Sequence, residues 1–229
     1  MEHTVLLRDP FGPLGAEEEG LLPSETLQLG TMANSVVREL ANIGLAHATT
    51  ALAELTGRAF DMGIPKVESV ALERLPEMLG DPNELTVATY MTIAGDVGGH
   101  IAFLMPWNSA CQLWLMLVGE APSGPECISE LHASMALEVG NMINCGLLNA
   151  ISDMTNLSLQ ATPPQVSVDM GSAVIASIVC EASYVDAVAL SIQTDITDMA
   201  HTVSGNFVYI PTIGGLRKVF HSLGVTEAA

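Results

Sequence analysis

Two sets of polar residues recur along the chain at the same spacing. Ser35, Glu39, Asn42 and Pro65 form the first set, and every member reappears 99 positions later. The second set is Ser134, Glu138, Asn141 and Pro164. Glutamate supplies a charged hydrogen-bond acceptor, and asparagine supplies donors and an acceptor on one planar amide. Each set therefore combines a negative charge with a two-way hydrogen-bonding group, provided that one element presents both.

A helix would present each set on one face. With Ser35 at zero and about 100° per residue, Glu39 lies at about +40° and Asn42 at about −20°. We call Ser35, Glu39 and Asn42 the first stripe, and Ser134, Glu138 and Asn141 the second stripe. The apolar residues that this geometry turns toward the core lie at roughly 80–140°: Val36, Leu40 and Ile43. The second stripe is flanked in the same way by Met135, Val139 and Met142.

Glutamate and asparagine on a helix flank are also ordinary surface residues, and a single E-x-x-N is weak evidence of function. Asparagine is, however, unfavourable inside a helix compared with Ala, Glu or Lys. Its presence at both equivalent positions favours a function for the stripes. The alternative, that they are ordinary surface residues, is equally compatible with the spacing alone.

The whole chain has the pattern of an internal duplication. Pro106 and Gly119 correspond to Pro211 and Gly224 at a shift of 105. The shift thus grows by 6, from 99 to 105, so the second half contains extra residues. We expect them in the segment 195–204, at the second hairpin turn. A repeat this long is a duplicated half-domain, because solenoid units run to about 20–50 residues. We predict one domain over 24–225, built of half-repeats 24–122 and 123–225 whose long helices are related by a pseudo-two-fold axis.

Hydrophobic periodicity predicts the same order of elements in both halves. Helices are predicted over 24–56, 72–79, 106–118, 128–154 and 172–180, with a last helix ending near residue 224. Strands are predicted over 66–70, 86–94, 99–105, 166–168, 187–194 and 206–210. The segment GDVGG (95–99) is interpreted as a hairpin turn, because no helix follows it directly as a phosphate-binding loop requires. These elements predict an α+β fold with a mixed or antiparallel sheet.

Composition excludes several classes of protein. The chain has 26 Asp+Glu against 7 Lys+Arg, a net charge of −19, and no basic patch of the kind that nucleic acids need. The apolar content of 49% is too high for a disordered acidic protein. The most apolar segment, 101–118, is interrupted by polar residues and Pro106, so no membrane insertion is predicted. Residues 1–23 have the composition of a flexible leader and not of a secretory signal, and we expect a cytoplasmic protein.

Neither the cysteines nor the histidines form a recognisable site. Cys111, Cys127, Cys145 and Cys180 lie far apart without a C-x-x-C pair, so we interpret them as reduced, buried core thiols. The six histidines are scattered without a ligand spacing to carboxylates, and no metal site is predicted. His47 lies at about 120° in the helical frame, which predicts that it packs on the core side.

The repeated spacing resembles the signature of the CheC/CheX/FliY family of chemotaxis phosphatases, D/S-x3-E-x2-N-x22-P. Four further segments are similar to the family: ELANIG (39–44), VALERLPEML (70–79), GDVGG (95–99) and GLLNAIS (146–152). The resemblance extends over about residues 24–225. Two complete copies favour the CheC or FliY branch, since CheX is expected to carry one working copy. We expect a free-standing CheC-type protein, because neither a FliY-type regulator-binding peptide nor a FliY switch-complex domain is recognised.

This resemblance implies a fold with two equivalent long helices and a phosphatase activity toward the aspartyl phosphate of a CheY-type response regulator. It assigns Asn42 and Asn141 to positioning of the attacking water, and Glu39 and Glu138 to binding a lysine in the regulator's active site. It assigns a supporting role in the motif to four residues: Ser35, Ser134, Pro65 and Pro164. Mg²⁺ is expected on the regulator, and no cofactor is expected on this chain.

Two other functions are compatible with the resemblance. One is a non-catalytic adaptor that binds the regulator or a CheD-type receptor deamidase. The other is a flagellar structural domain of the FliM type, which shares the fold without the motif. The intact E-x-x-N pairs favour the phosphatase, because an adaptor does not need asparagine at the position of the water.

Overall fold

The computed structural model describes residues 31–78, 81–182, 188–212 and 214–225. The predicted leader, 1–23, and the predicted start of the first helix at Ser24 lie outside the described residues.

Each half begins with a long helix and ends with a hairpin and a helix. The first half contains α1 (Thr31–Thr56), β1 (Asp61–Met62), β2 (Lys66–Ala71), a 3-10 turn (Leu72–Arg74), α2 (Leu75–Met78), β3 (Leu85–Gly95), β4 (Gly99–Pro106) and α3 (Trp107–Val118). The second half contains α4 (Glu130–Thr155), β5 (Leu159–Ala161), β6 (Gln165–Met170), α5 (Gly171–Glu181), β7 (Val188–Thr197), β8 (Thr202–Pro211) and α6 (Gly215–Ser222). The second half thus repeats the order of the first. The segment 95–99 is the turn of the β3–β4 hairpin, as predicted.

The eight strands in the described part of the chain form one antiparallel sheet in which the two halves exchange strands. The two hairpins lie side by side, with β8 pairing β4 at the centre. On one side β7 pairs β1 and β2 from the first half, and on the other side β3 pairs β5 and β6 from the second half. The predicted α+β fold is confirmed, and its sheet is of the antiparallel kind.

The pairing register corrects the predicted place of the extra residues. Lys66 pairs with Gln193, and its counterpart Gln165 pairs with Tyr90, so Tyr90 corresponds to Gln193 at a shift of 103. The shift has therefore grown by four before the second hairpin begins. The prediction that all the extra residues lie in 195–204 is wrong. Much of the added length lies between β6 and β7, where the 11-residue α5 stands in place of the four-residue α2.

Helices cover both faces of the sheet. The larger core lies between the sheet and four helices, α1, α3, α4 and α6, and the smaller core lies under α2 and α5. The two long helices approach each other closely at their glycines. A Cβ atom at Gly44 would lie 2.7 Å from the Leu147 Cα, and one at Gly146 would lie 2.5 Å from the Gly44 carbonyl oxygen. Backbone is in contact with backbone at this crossing, so the crossing fixes how α1 and α4 lie against each other.

Hydrogen bonds fix the start of α4. The Ser129 hydroxyl accepts a bond from the His132 backbone N–H (3.3 Å), and the Ser129 backbone N–H donates to the His132 Nδ1 (3.2 Å). This capping box satisfies two free donors of the first turn. The Trp114 indole also donates to the His132 carbonyl at 2.8 Å, which joins α3 to α4.

Three predictions about burial need correction. Val36 and Ile43 are only partly buried, because the buried face of α1 is centred on Val37, Leu40 and Ala41. His47 is exposed and does not pack on the core side. The buried face of α1 therefore lies further round the helix axis from the first stripe than predicted. It includes Gly44, where α4 packs against α1.

The cysteines also differ from the prediction. Cys127 and Cys180 are exposed, while Cys111 and Cys145 are half-buried. Within the described residues, no helix combines the length and the apolar character needed to cross a bilayer.

Candidate functional site

The first stripe lies on the outer surface of α1. Ser35, Glu39 and Asn42 are all exposed, and the opposite face of the same helix buries Val37 and Leu40 against the sheet. The spacing of four and three residues therefore produces the predicted common face. A carboxylate and a carboxamide are presented to solvent one turn apart.

The second stripe has the same layout on α4 with one difference. Ser134 and Glu138 are exposed, whereas Asn141 is half-buried. The Cys145 thiol lies one turn further along and donates to the Asn141 side-chain oxygen, with 3.4 Å between sulfur and oxygen. Burial raises the pKa of Cys145, so the thiol keeps the proton that it donates. This contact holds the Asn141 amide from one side.

The corresponding environment in the first stripe is different. Ala46 stands where α4 has Cys145, and it has no side-chain donor. Arg38 is exposed beside Glu39, whereas its counterpart Leu137 is half-buried beside Glu138. The two stripes thus share their polar residues and differ in the side chains around them. Sequence reasoning missed Cys145, although its place four residues after Asn141 could have indicated the contact.

The two prolines of the motif stand apart from the stripes in the chain and play a different part. Pro65 immediately precedes β2 and is buried, and Pro164 immediately precedes β6 and is half-buried. A proline at the start of an edge strand removes no ladder donor, because its missing N–H is not needed there. Both prolines therefore stand where the chain enters the exchanged edge strands.

A second polar cluster lies on the other face of the sheet. The Tyr90 hydroxyl bonds to His100 Nδ1, and the pKa of Tyr90 is raised by burial and by its hydrogen bond to Glu181. Burial lowers the pKa of His100. The cluster borders a pocket of about 50 Å³ between β3, β6 and α5. It is separated by the sheet from both stripes and takes no part in them.

The described residues contain no group of three or more His, Cys, Asp or Glu side chains placed to hold a metal ion. Each stripe itself consists of one carboxylate, one carboxamide and one hydroxyl. Such a set can bind a cationic side chain and orient a water molecule against a partner.

Fold and site together define an internally duplicated α+β protein with one E-x-x-N stripe on the long helix of each half. Residues 32–69, which contain the first set, match the model of the CheC-like family. The chain is also 30% identical over 195 residues to the CheY-P phosphatase CheC of Bacillus subtilis, covering 83% of this chain and 93% of that protein. The chain belongs to the CheC-like family, and the resemblance noted from its sequence is confirmed.

Solved structures agree with this fold. Thermotoga maritima FliY superposes with a TM-score of 0.68 at 13% identity, covering 86% of this chain and 98% of FliY. The FliM middle domain of Vibrio alginolyticus superposes with a TM-score of 0.58 at 13% identity, covering 82% of this chain and 99% of that domain. At these identities the likeness concerns the fold alone.

Proposed function

We propose that the protein is a phosphatase that accelerates hydrolysis of the aspartyl phosphate on a CheY-type response regulator in chemotaxis. The observation that carries this proposal is the pair of E-x-x-N stripes on the outer faces of α1 and α4, on a chain 30% identical to a CheY-P phosphatase. The stripes offer the groups that this reaction needs, an amide that can orient a water and a carboxylate that can bind a lysine.

An acyl phosphate is a reactive mixed anhydride, so its hydrolysis needs a positioned water more than it needs acid or base catalysis. The Asn42 or Asn141 amide holds the water through its donor and acceptor groups, in line with the bond to the leaving carboxylate. The water oxygen forms a bond to phosphorus and the bond from phosphorus to the aspartate oxygen breaks. Inorganic phosphate is released, and the aspartate leaves as a stable carboxylate that requires no proton from this protein.

Glu39 and Glu138 bind a lysine of the regulator's active site and so dock the stripe. They lie one turn from the asparagines, which sets the distance between the docked lysine and the positioned water. Ser35 and Ser134 extend the same polar face. Mg²⁺ belongs to the regulator in this proposal, and the chain supplies no cofactor.

The test is the loss of phosphate from labelled regulator with and without the protein. Asn42→Ala with Asn141→Ala should reduce the acceleration about 100-fold or more, because a misplaced reactant costs about this factor. Asn108, which is exposed on α3 and belongs to neither of the helices that carry the stripes, provides the matched control. Asn108→Ala should keep the wild-type rate.

The alternative of a non-catalytic adaptor makes the opposite prediction. An adaptor would bind the phosphorylated regulator without shortening the lifetime of its phosphate, and the double asparagine variant would behave as the wild type. Unchanged acceleration in a folded double variant would remove the asparagines from the mechanism.

A further inference from the structure

Each stripe has an exposed apolar side chain at its N-terminal end. Met32 lies three residues before Ser35 and Leu131 lies three before Ser134, so they correspond under the shift of 99. Met32 is 59% exposed and Leu131 is 50% exposed. Measured around the helix axis from the serine of the same stripe, both residues lie at about +60°. This angle is within about 20° of that of the glutamate. The outer face of α1 and of α4 therefore presents an apolar, a hydroxyl, a carboxyl and an amide group in the same order.

Single exposed apolar residues are common on protein surfaces, so their position has to decide whether they matter. A protein interface of ordinary size buries about 800 Å² on each partner, which corresponds to a disc of about 16 Å radius. Met32 lies about 13 Å along the helix from the midpoint of Glu39 and Asn42, at 1.5 Å per residue. An interface of this size that is centred on the glutamate and the asparagine therefore also covers Met32, and the same holds for Leu131 on α4.

The other ends of the long helices offer a comparison. Leu55 and Met154 also correspond under the shift of 99, and they are 49% and 37% exposed. They lie about 22 Å from the midpoint of the stripe and about 160° round the helix from the glutamate. They have the same chemistry as Met32 and Leu131 but fall outside the disc and on the other side of the helix.

We propose that Met32 and Leu131 are specificity-determining contacts that bind an apolar patch of the response regulator next to its phosphorylation site. This inference rests on the proposed function, because the regulator is the partner that reaches the glutamates. An exposed pair of a glutamate and a lysine contributes little to affinity and is screened by salt. Burial of an apolar side chain is not screened, so it supplies docking energy that the polar residues of the stripe do not.

Removing either contact should raise KM and leave kcat unchanged. Met32 and Leu131 touch neither the water nor the phosphate in the proposed complex, so they contribute equally to the ground state and the transition state. Burying the exposed half of such a side chain corresponds to about a fivefold change in KM, or about 1 kcal/mol at 1.4 kcal/mol per tenfold.

Proteins with one working stripe give the clearest measurement. In the Asn141→Ala protein, Met32→Ala should raise KM for the phosphorylated regulator about fivefold, and Met32→Leu should keep KM near its starting value. In the Asn42→Ala protein, Leu131→Ala should do the same for the second stripe. An unchanged KM in both alanine variants would overturn the proposal.

Leu55→Ala and Met154→Ala are the matched controls and should not change KM. A rise in KM in these controls equal to that in the Met32 and Leu131 variants would mean that any apolar truncation weakens the protein, and this would also overturn the proposal.

A binding measurement separates this inference from the proposed function. The Asn42→Ala/Asn141→Ala protein should bind the phosphorylated regulator without hydrolysing it. Adding Met32→Ala and Leu131→Ala should raise Kd about fivefold at each site. If the wild type binds the regulator without accelerating hydrolysis, the proposed function fails, and the change in Kd still decides the role of Met32 and Leu131.

Discussion

Replacing Gly146 by alanine tests how closely the two long helices must approach. A Cβ atom there would lie 2.5 Å from the Gly44 carbonyl oxygen and 3.3 Å from the Ala48 nitrogen, whereas ordinary contacts begin at 3.4 Å. The helices must therefore separate by about 0.9 Å at the crossing, in a core packed to crystal-like density. Alanine gains about 1 kcal/mol of helix propensity over glycine, and overpacking costs about 1–3 kcal/mol.

The overpacking cost should exceed the gain in propensity, because the obstacle is a backbone carbonyl and not the end of a flexible side chain. With the overpacking cost in the upper half of its range, at about 2–3 kcal/mol, the net loss is about 1–2 kcal/mol, which lowers Tm by about 2–8 °C for a domain of this size. Thermal unfolding followed by circular dichroism measures this loss. A Tm equal to or above that of the wild type would refute the close crossing.

Gly44→Ala provides an internal check on the same contact. Its Cβ atom would lie 2.7 Å from the Leu147 Cα, on the other side of the crossing. Because either alanine separates the same two helices, the Gly44→Ala/Gly146→Ala protein should lose less stability than the sum of the single losses. Additive losses would show that the two glycines do not share one contact.

Two further predictions concern the stripes. In the Asn42→Ala protein, Cys145→Ala should lower kcat about two- to fivefold, because it removes the donor to Asn141. Cys145→Ser keeps a donor at this position and should retain the rate. An equal loss in both variants would show that the hydrogen bond is irrelevant. The net charge of −19 disfavours free anions, so we expect poor hydrolysis of small aryl phosphates. Salt screens the proposed attraction between each glutamate and the regulator's lysine, so we expect a KM for the regulator that rises with salt. Rapid turnover of an aryl phosphate would contradict recognition through the regulator's surface.

The faces of the long helices could be predicted from sequence because they depend on local geometry alone. A repeat of 3.6 residues per turn places Ser35, Glu39 and Asn42 together wherever the helix lies. The direction of the core depends on which neighbour covers the helix, and periodicity does not contain that information. His47 shows the difference, because it lies in α1, whose predicted end at Thr56 is confirmed, and yet is exposed.

The exchange of strands between the halves was beyond prediction for a related reason. Each half has the sequence pattern of a complete unit, with β2 and its own hairpin in order. The pairing of β2 with β7 and of β6 with β3 joins residues more than 70 positions apart, and only packing of the whole chain selects it. The contact between Cys145 and Asn141 could be predicted only in part. Their spacing of four residues is visible in the sequence, whereas the burial of the Asn141 amide is not.

The exchanged strands explain how two sites can differ on one scaffold. Neither half is complete alone, since the hairpin of each half takes its edge strands from the other and α1 is packed against α4 at Gly44. Stability is therefore a property of the whole domain. The stripes, by contrast, lie on the outer faces of single helices, where a substitution changes one site and leaves the shared core in place. Arg38 and Leu137 differ in this way beside the two glutamates. The duplication thus keeps two sites on one fold while their surroundings remain free to diverge.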